Sequence, residues 1–168
     1  VARRPGPTGG QGPRRHRELL GDERTDARER ALILLYEAET KGIAPGEVLA
    51  AQVVAPDALT STLVRGVEEH RERLDAAIGG RARGWTLGRM PLIDLTVMRI
   101  ASFELLARPD VPVPVVLDEA IELAKRFSTD DSGRFVNGVL SALVPDLRGA
   151  TGAAPTEDAR GDDLEPTD

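Results

Sequence analysis

Apolar residues recur along the middle of the chain at helical spacing. Ala27, Ala31, Leu34, Leu35 and Ala38 fall at i, i+4, i+7, i+8 and i+11, one face of a 3.6-residue helix. Asp26, followed three residues later by Glu29, has the form of a capping box and predicts the helix start. Gly42 after Lys41 predicts its stop. Pro45 opens a short helix through about Val53, and Pro56 with Asp57 opens a longer one. That helix turns Leu59, Leu63, Val67, Leu74 and Ile78 inward and closes at Gly79-Gly80. Pro91 begins another, with Leu92, Leu95, Met98, Leu105 and Leu106 as candidate core. Pro114 starts the next, with Leu117, Ile121, Ala124 and Phe127 inward. Asp118 and Glu119 near its start and Lys125 and Arg126 near its end complement the helix dipole. A last helix is expected from about Asp131 to Leu143, stopping at Pro145, with Phe135, Val136, Val139, Leu140 and Leu143 on its apolar face. The β-branched run Val111 to Leu117 is interrupted by Pro112 and Pro114, which argues against a strand. The expected fold class is all-α: a single compact bundle domain of about six to seven helices, with disordered N- and C-terminal tails.

Composition narrows this further. The longest unbroken apolar run, Ala31 to Tyr36, is far short of the roughly 20 residues a membrane helix needs. The start of the chain has no apolar segment of a secretory signal, so a cytoplasmic protein is expected. With no Cys and two His, disulfides, thiol chemistry and the common zinc sites are not expected. Net charge is -6 but unevenly spread: residues 1–17 carry five Arg and no acid, whereas residues 145–168 carry seven acids against two Arg. Residues 1–23 therefore read as a flexible Pro/Gly/Arg-rich arm, 24–144 as the folded domain and 145–168 as an acidic tail.

Catalytic signatures are absent. The glycines at 9–12 are not followed by Lys-Ser or Lys-Thr, and there is no GxSxG or HExxH, so neither enzyme activity nor a cofactor or metal is expected. Glu68, Glu69 and Glu72 with Arg71 and Arg73 read as a solvated helix face. Asp130 and Asp131 read as helix-capping residues before a metal site. Trp85 and Phe103 read as core or interface aromatics. What remains is basic: Arg14, Arg15, His16 and Arg17, then Arg24, Arg28 and Arg30. Arg suits phosphate and base recognition. A plain solvated tail is the competing reading, because Glu18, Asp22, Glu23 and Asp26 dilute the cluster.

Two runs carry a resemblance: VMRIASFELL at 97–106 and DVPVPVVLDEAIELAKRFSTDDSGRFVNGVL at 110–140. With Ala27-Arg28-Glu29, Leu35-Tyr36 and GWTLGRMPLID at 84–94, the chain from about 24 to 144 resembles the transcription antitermination factor NusB family, in particular its actinobacterial members. The resemblance implies a non-enzymatic helical domain that binds single-stranded boxA-type RNA together with ribosomal protein NusE. That complex would join RNA polymerase and keep ribosomal RNA transcription processive. It places RNA contacts at Arg24, Arg28, Arg30, Arg65, Arg73, Arg134, Phe135 and Asn137, and partner contacts at Arg99, Glu104 and Asp131. Thr25 and Asp26 stand where other members carry further Arg.

Physical readings accompany this. Gly133 is expected to let a phosphate backbone approach the helix start, Gly138 to permit close helix packing, and Phe135 either to stack on a base or to join the core. Arg99 is expected to pair with Glu104 or a helix-end carbonyl. Arg28→Glu is expected to weaken RNA binding without disturbing the fold. Three alternatives stay open: a protein adaptor without RNA affinity, the non-catalytic domain of a truncated ribosomal RNA methyltransferase, and a homodimer rather than a monomer.

Overall fold

Seven α-helices follow one another in the computed structural model, which describes residues 12–149 and the side chains of 23–149. They are α1 (Gly12–Lys41), α2 (Pro45–Ala50), α3 (Ala58–Glu69), α4 (Arg71–Arg81), α5 (Leu92–Ala107), α6 (Val113–Phe127) and α7 (Ser132–Gly149), with a 3-10 turn at Leu87–Arg89. The expected tails at 1–11 and 150–168 lie outside the described residues, as do the side chains of Arg14, Arg15 and Arg17. Among the described residues, no helix is long and apolar enough to cross a membrane.

The axis of the bundle is α5, which packs against α1, α3, α4, α6 and α7. Every residue from Asp94 to Leu105 is buried. A helix enclosed on all sides must be apolar all round or must pair its polar groups. Here α5 pairs most of them. Ser132 donates its hydroxyl to Asp94 Oδ2 at 2.9 Å, Thr96 donates to the Leu92 carbonyl at 2.7 Å, and Arg99 and Glu104 each meet a charge from another helix. Helices α1 to α3 pack together on one flank, and α6 with α7 on the other.

Several boundaries differ from the sequence expectation, among them the end of α4, which runs through Gly79-Gly80 to Arg81. Helix α1 begins at Gly12, not Asp26, so residues 12–23 of the expected arm are helical. Asp26 and Glu29 do not cap a helix start: both lie within α1, Asp26 exposed and Glu29 paired with Arg126 at 2.9 Å. The single helix expected through Gly79 divides at His70 (φ -100, ψ 11). The His70 ring bonds the Gly66 carbonyl through Nδ1 at 2.9 Å and lies 5.5 Å from the Phe103 ring. Phe103 occupies the space over Gly66, where a Cβ would lie 2.1 Å from the ring. Helix α2 ends at Ala50, short of Val53.

Helix α7, finally, runs through Pro145 rather than stopping before it. An interior proline removes a hydrogen bond and crowds the preceding turn. Three interactions hold the last turn regardless: Leu147 is buried, Arg148 donates Nη2 to the Val111 carbonyl at 2.6 Å, and Arg81 makes a two-bond fork with Asp146.

The core follows the expected faces on α1 and α7. On α6 the buried stripe is Val116, Ala120, Leu123 and Ala124, about one residue round from the expected one, with Leu117 and Phe127 packed at its margin. Helix α6 is wedged between α5 and α7, and packing on two sides moves the buried direction between two apolar ridges.

Candidate nucleic-acid interface

Two places hold most of the expected RNA contacts: the middle of α1 and the start of α7. On α1, Arg28 is not at the surface. Its side chain is 3% exposed and forks onto Glu104 of α5, donating Nε to Oε2 at 2.9 Å and Nη2 to Oε1 at 2.8 Å. Its remaining nitrogen, Nη1, lies 3.6 Å from Glu119 of α6. Burial alone would pull the Arg28 guanidinium down. The hydrogen bonds and charge of Glu104, with the charge of Glu119, more than offset this, so it titrates above its ordinary value. Arg28 and Glu104 therefore form a buried structural pair that ties α1 to α5. Both are buried in this pair, where the resemblance expected surface contacts with RNA and with a partner protein, and Arg28→Glu would set two acids against each other inside the bundle. Thr25 belongs to the same assembly, donating its hydroxyl to Glu119 Oε1 at 3.0 Å. That is the use the fold makes of a position where the family resemblance expected an arginine.

Arg99 is also internal, as a structural arginine, but its partner is not Glu104. It forks onto Asp75 of α4, with Nε 2.7 Å from Oδ1 and Nη2 3.0 Å from Oδ2, and Glu39 of α1 lies 3.8 Å away. Arg71 reaches the same two carboxylates at 2.9 and 3.0 Å. Burial lowers and the paired carboxylates raise its pKa, the net being above its ordinary value. This two-arginine, two-carboxylate cluster locks α1, α4 and α5 together. Arg99, which the resemblance expected at a partner surface, is thus internal and paired.

Arg24 is exposed, but in acidic company. It lines a cleft of ≈ 870 Å³ with Glu23, Asp26, Asp57, Asp110 and Arg108, over a floor that includes Leu59, Phe103 and Ala107. Asp57 caps α3 by accepting the Thr60 N–H at 2.9 Å. Burial raises the Asp57 pKa, but hydrogen bonds from the Thr60 hydroxyl and nearby N–H groups outweigh it and hold the carboxyl below its ordinary value. Arg30 is exposed and donates to Gln52 Oε1 at 2.6 Å. Arg65 and Arg73, expected on one helix, stand exposed on α3 and α4 respectively.

The start of α7 is different. Arg134 and Asn137 are exposed, and Phe135 is half-buried against the core. Asn137 Oδ1 accepts the Ser141 hydroxyl at 3.3 Å. Phe135 meets Trp85, with ring centres 5.7 Å apart and planes tilted by 52°. Trp85 is 47% exposed. It sits just after Gly84, whose φ of +78 makes the turn out of α4. Arg83 and Arg89 flank it in the same connection, both exposed. Among the described residues, the side chains of Arg83, Arg89 and Arg134 make no ion pair or hydrogen bond. Asp131 is exposed beside them, its carbonyl accepting the Phe135 N–H at 3.2 Å.

The two glycines of this helix are corrected. A Cβ on Gly133 would meet the stem of Lys125 at 3.0 Å, so its open side faces α6 rather than a ligand. Gly138 faces open space and packs against nothing. The sequence pattern alone did not mark Trp85 as part of this surface, nor Arg83 and Arg89 with it. The signal was present in RARGWTLGR at 81–89, where arginines interleave with an aromatic across glycine turns.

Known proteins agree with this architecture. A curated relative from Saccharopolyspora erythraea, named "Transcription antitermination protein NusB", is 47% identical over 127 residues, covering 72% of this chain and 86% of its own. The crystal structure titled "T. maritima NusB, P3121, Form 2" superposes with a TM-score of 0.68 at 30% identity, over 74% of this chain and 92% of that one. A structure titled "Crystal Structure of Antitermination Factors NusB and NusE in complex with dsRNA" superposes with a TM-score of 0.64 at 25% identity, over 74% of this chain and 98% of that one. The family model described as "NusB family" matches residues 25–145, and the chain belongs to that family.

Proposed function

We propose that this chain is an RNA-binding antitermination factor. It holds boxA-type single-stranded RNA together with ribosomal protein NusE, acts with RNA polymerase in the cytoplasm, and promotes processive transcription of ribosomal RNA. It works by positioning and not by chemistry, with no cofactor. The observation that carries this reading is the 47% identity to a curated antitermination protein over most of both chains. The relative solved with NusE and RNA supports the partner assignment. The exposed arginine and aromatic side chains at the start of α7 supply suitable chemistry, since guanidinium forks grip phosphates and ring faces accept bases.

A second reading has its own observation. With Arg28 buried and Arg24 set among carboxylates, the α1 side offers little net positive charge, which suits a protein adaptor of this fold with weak RNA affinity. Fluorescence anisotropy of a labelled boxA-type RNA separates the two, titrated with and without NusE at low and moderate salt. Binding that tightens with NusE and weakens with salt is expected, because neutralised phosphates release counterions. No RNA binding under any condition, with NusE still captured, would overturn the proposal in favour of the adaptor.

A further inference from the structure

We infer that the cleft between α1, α3 and the end of α5 is the docking site of this chain's own N-terminal segment, residues 1–11, with Arg3 and Arg4 set against the carboxylates of its rim. That segment lies outside the described residues. The docking needs no RNA and stands apart from the RNA-binding reading.

The cleft has room and mixed chemistry. Its ≈ 870 Å³ falls within the roughly 300–1,000 Å³ of binding pockets. Leu59, Phe103 and Ala107 make an apolar floor. Glu23, Asp26, Asp57 and Asp110, all exposed, outnumber the two lining arginines, Arg24 and Arg108, and Arg108 is taken up by Asp110 at 3.4 Å. Asp26 stands where the resemblance expected an arginine, so the acidic wall is this chain's own departure. Such a groove suits an extended occupant that carries guanidinium forks beside small apolar residues. The segment VARRPGPTGGQ supplies both.

Length selects this site over the other acidic surfaces. Helix α1 rises about 1.5 Å per residue, so Arg24 lies roughly 18 Å from its start at Gly12. Arg4 is eight residues ahead of Gly12, and an extended stretch of that length covers about 25 Å at ~3.1 Å per residue. Pro5 and Pro7 favour that extended form, and Gly9-Gly10 tolerates the reversal just ahead of the helix. Doubling back thus brings Arg3 and Arg4 level with residues 23–26. Exposed Glu69 and Glu72 flank the break between α3 and α4, next to Arg71, which meets Glu39 near the far end of α1. That end is roughly 40 Å from Gly12, beyond the ~29 Å that eight residues span at full stretch. On α6, Glu119 is held by Thr25 and Arg28 and Glu122 by Lys125, which leaves Asp118 there. Arg14, Arg15 and Arg17 at the start of α1 repel the segment's own arginines toward the carboxylates farther along. A tether this short holds the segment at an effective concentration of about millimolar, so even a weak contact is substantially occupied.

The chain contains no Cys, so a nitroxide on Ala2→Cys is the only label present. Backbone amide signals of the isotope-labelled full chain are recorded with the nitroxide intact and then reduced. The expected result is strong broadening at Leu59, Thr62 and Ala107 and none at Glu69 or Glu72. High salt should diminish the broadening severalfold, because exposed ion pairs are screened. Glu23→Lys with Asp26→Lys should abolish it, and Arg3→Glu with Arg4→Glu added to that variant should restore it. Circular dichroism checks that each variant keeps its helices. Broadening confined to the start of α1, or unchanged by the two lysines in a folded variant, overturns the cleft as the docking site. A mixture of isotope-labelled chains without nitroxide and nitroxide-bearing chains without isotope reads the source of the segment. Broadening of the cleft in that mixture, as strong as within one chain, would show that a second copy delivers the segment and would overturn docking within the chain.

Discussion

Arg28 on α1 and Arg134 on α7 carry the same charge into opposite surroundings. Arg28 is enclosed by α1, α5 and α6, with its fork filled by Glu104 and a second carboxylate, Glu119, nearby. Arg134 is exposed next to Phe135 of the aromatic pair, and among the described residues its side chain makes no ion pair or hydrogen bond. The first stabilises the bundle and has nothing left for a ligand. The second contributes little to the fold and leaves its charge exposed. A basic residue near an interface is thus informative only once its partners are known, because a guanidinium already forked onto a buried carboxylate cannot also grip a phosphate.

The largest expected effect tests the enclosed half. Arg28→Ala would leave Glu104 buried and unpaired, and should destabilise the domain by about 3–5 kcal/mol. Urea denaturation reads this as a lower midpoint with a similar slope. Replacing both partners, Arg28→Met with Glu104→Leu, should recover most of that stability, since an apolar pair of similar volume needs no desolvation of charge. If Arg28→Ala unfolds like the wild type yet no longer binds RNA, the side chain is a surface group and the contrast with Arg134 fails.

The exposed half predicts the reverse separation. Arg134→Gln should leave the denaturation midpoint unchanged and weaken boxA-type RNA binding about fivefold, as expected for the removal of one charged hydrogen bond of about 1 kcal/mol. Arg24→Gln should do less, because Glu23, Asp26, Asp57 and Asp110 line the same cleft and offset its positive charge. Anisotropy titrations at two salt concentrations compare the variants directly. Equal weakening at both positions would mean that the RNA path runs over α1 as much as over α7.

Asp57 connects the acidic cleft to stability. Its carboxyl titrates below the ordinary value because hydrogen bonds favour the charged form over the opposing effect of burial. A depressed folded-state pKa contributes stability that is present above the unfolded carboxylate value and is lost as pH falls through the folded one. Asp57→Ala should therefore cost about 1 kcal/mol at neutral pH, with the gap to the wild type narrowing in acid. Asp57→Asn should keep most of the cap while removing a negative charge beside Arg24. Melting curves across the acid range check both, and a gap that widens in acid would reverse the assignment.

The helical register was legible wherever one face alone is buried. Ala27 to Ala38 and Val136 to Leu143 carry clean stripes and fold as read. Legibility failed where the deciding interaction comes from elsewhere in the chain. His70 breaks a stretch whose apolar spacing continues on both sides, because Phe103 on α5 packs over Gly66. Pro145 looks like a stop, but the following turn is held by Arg81 and by the Val111 carbonyl, both distant in sequence. The site divides in the same way. A family resemblance can place an arginine on α1, but the identity of its partner, Glu104, depends on how α1 meets α5, and that lies in packing and not in spacing. Trp85 was visible as a residue but not as a surface, since exposure is a property of the assembled fold.

The smallest effect separates the two glycines of α7. Gly138 lies in the helix interior with open space where a Cβ would go. Gly138→Ala should therefore stabilise the domain by about 0.5–1 kcal/mol through helix propensity and reduced freedom of the unfolded chain. Gly133→Ala gains less, because its Cβ would press on the Lys125 stem at 3.0 Å and on Ile121 at 3.4 Å, and these must yield. Thermal melts of the two single variants are the measurement, with Gly138→Ala expected to be the more stable. A Gly138→Ala variant that is less stable than the wild type, by an amount that grows with protein concentration, would show that a second copy of the chain covers this side of α7. The start of α7 would then be divided between self-association and RNA, and the contrast between an enclosed α1 and an open α7 would hold only for the monomer.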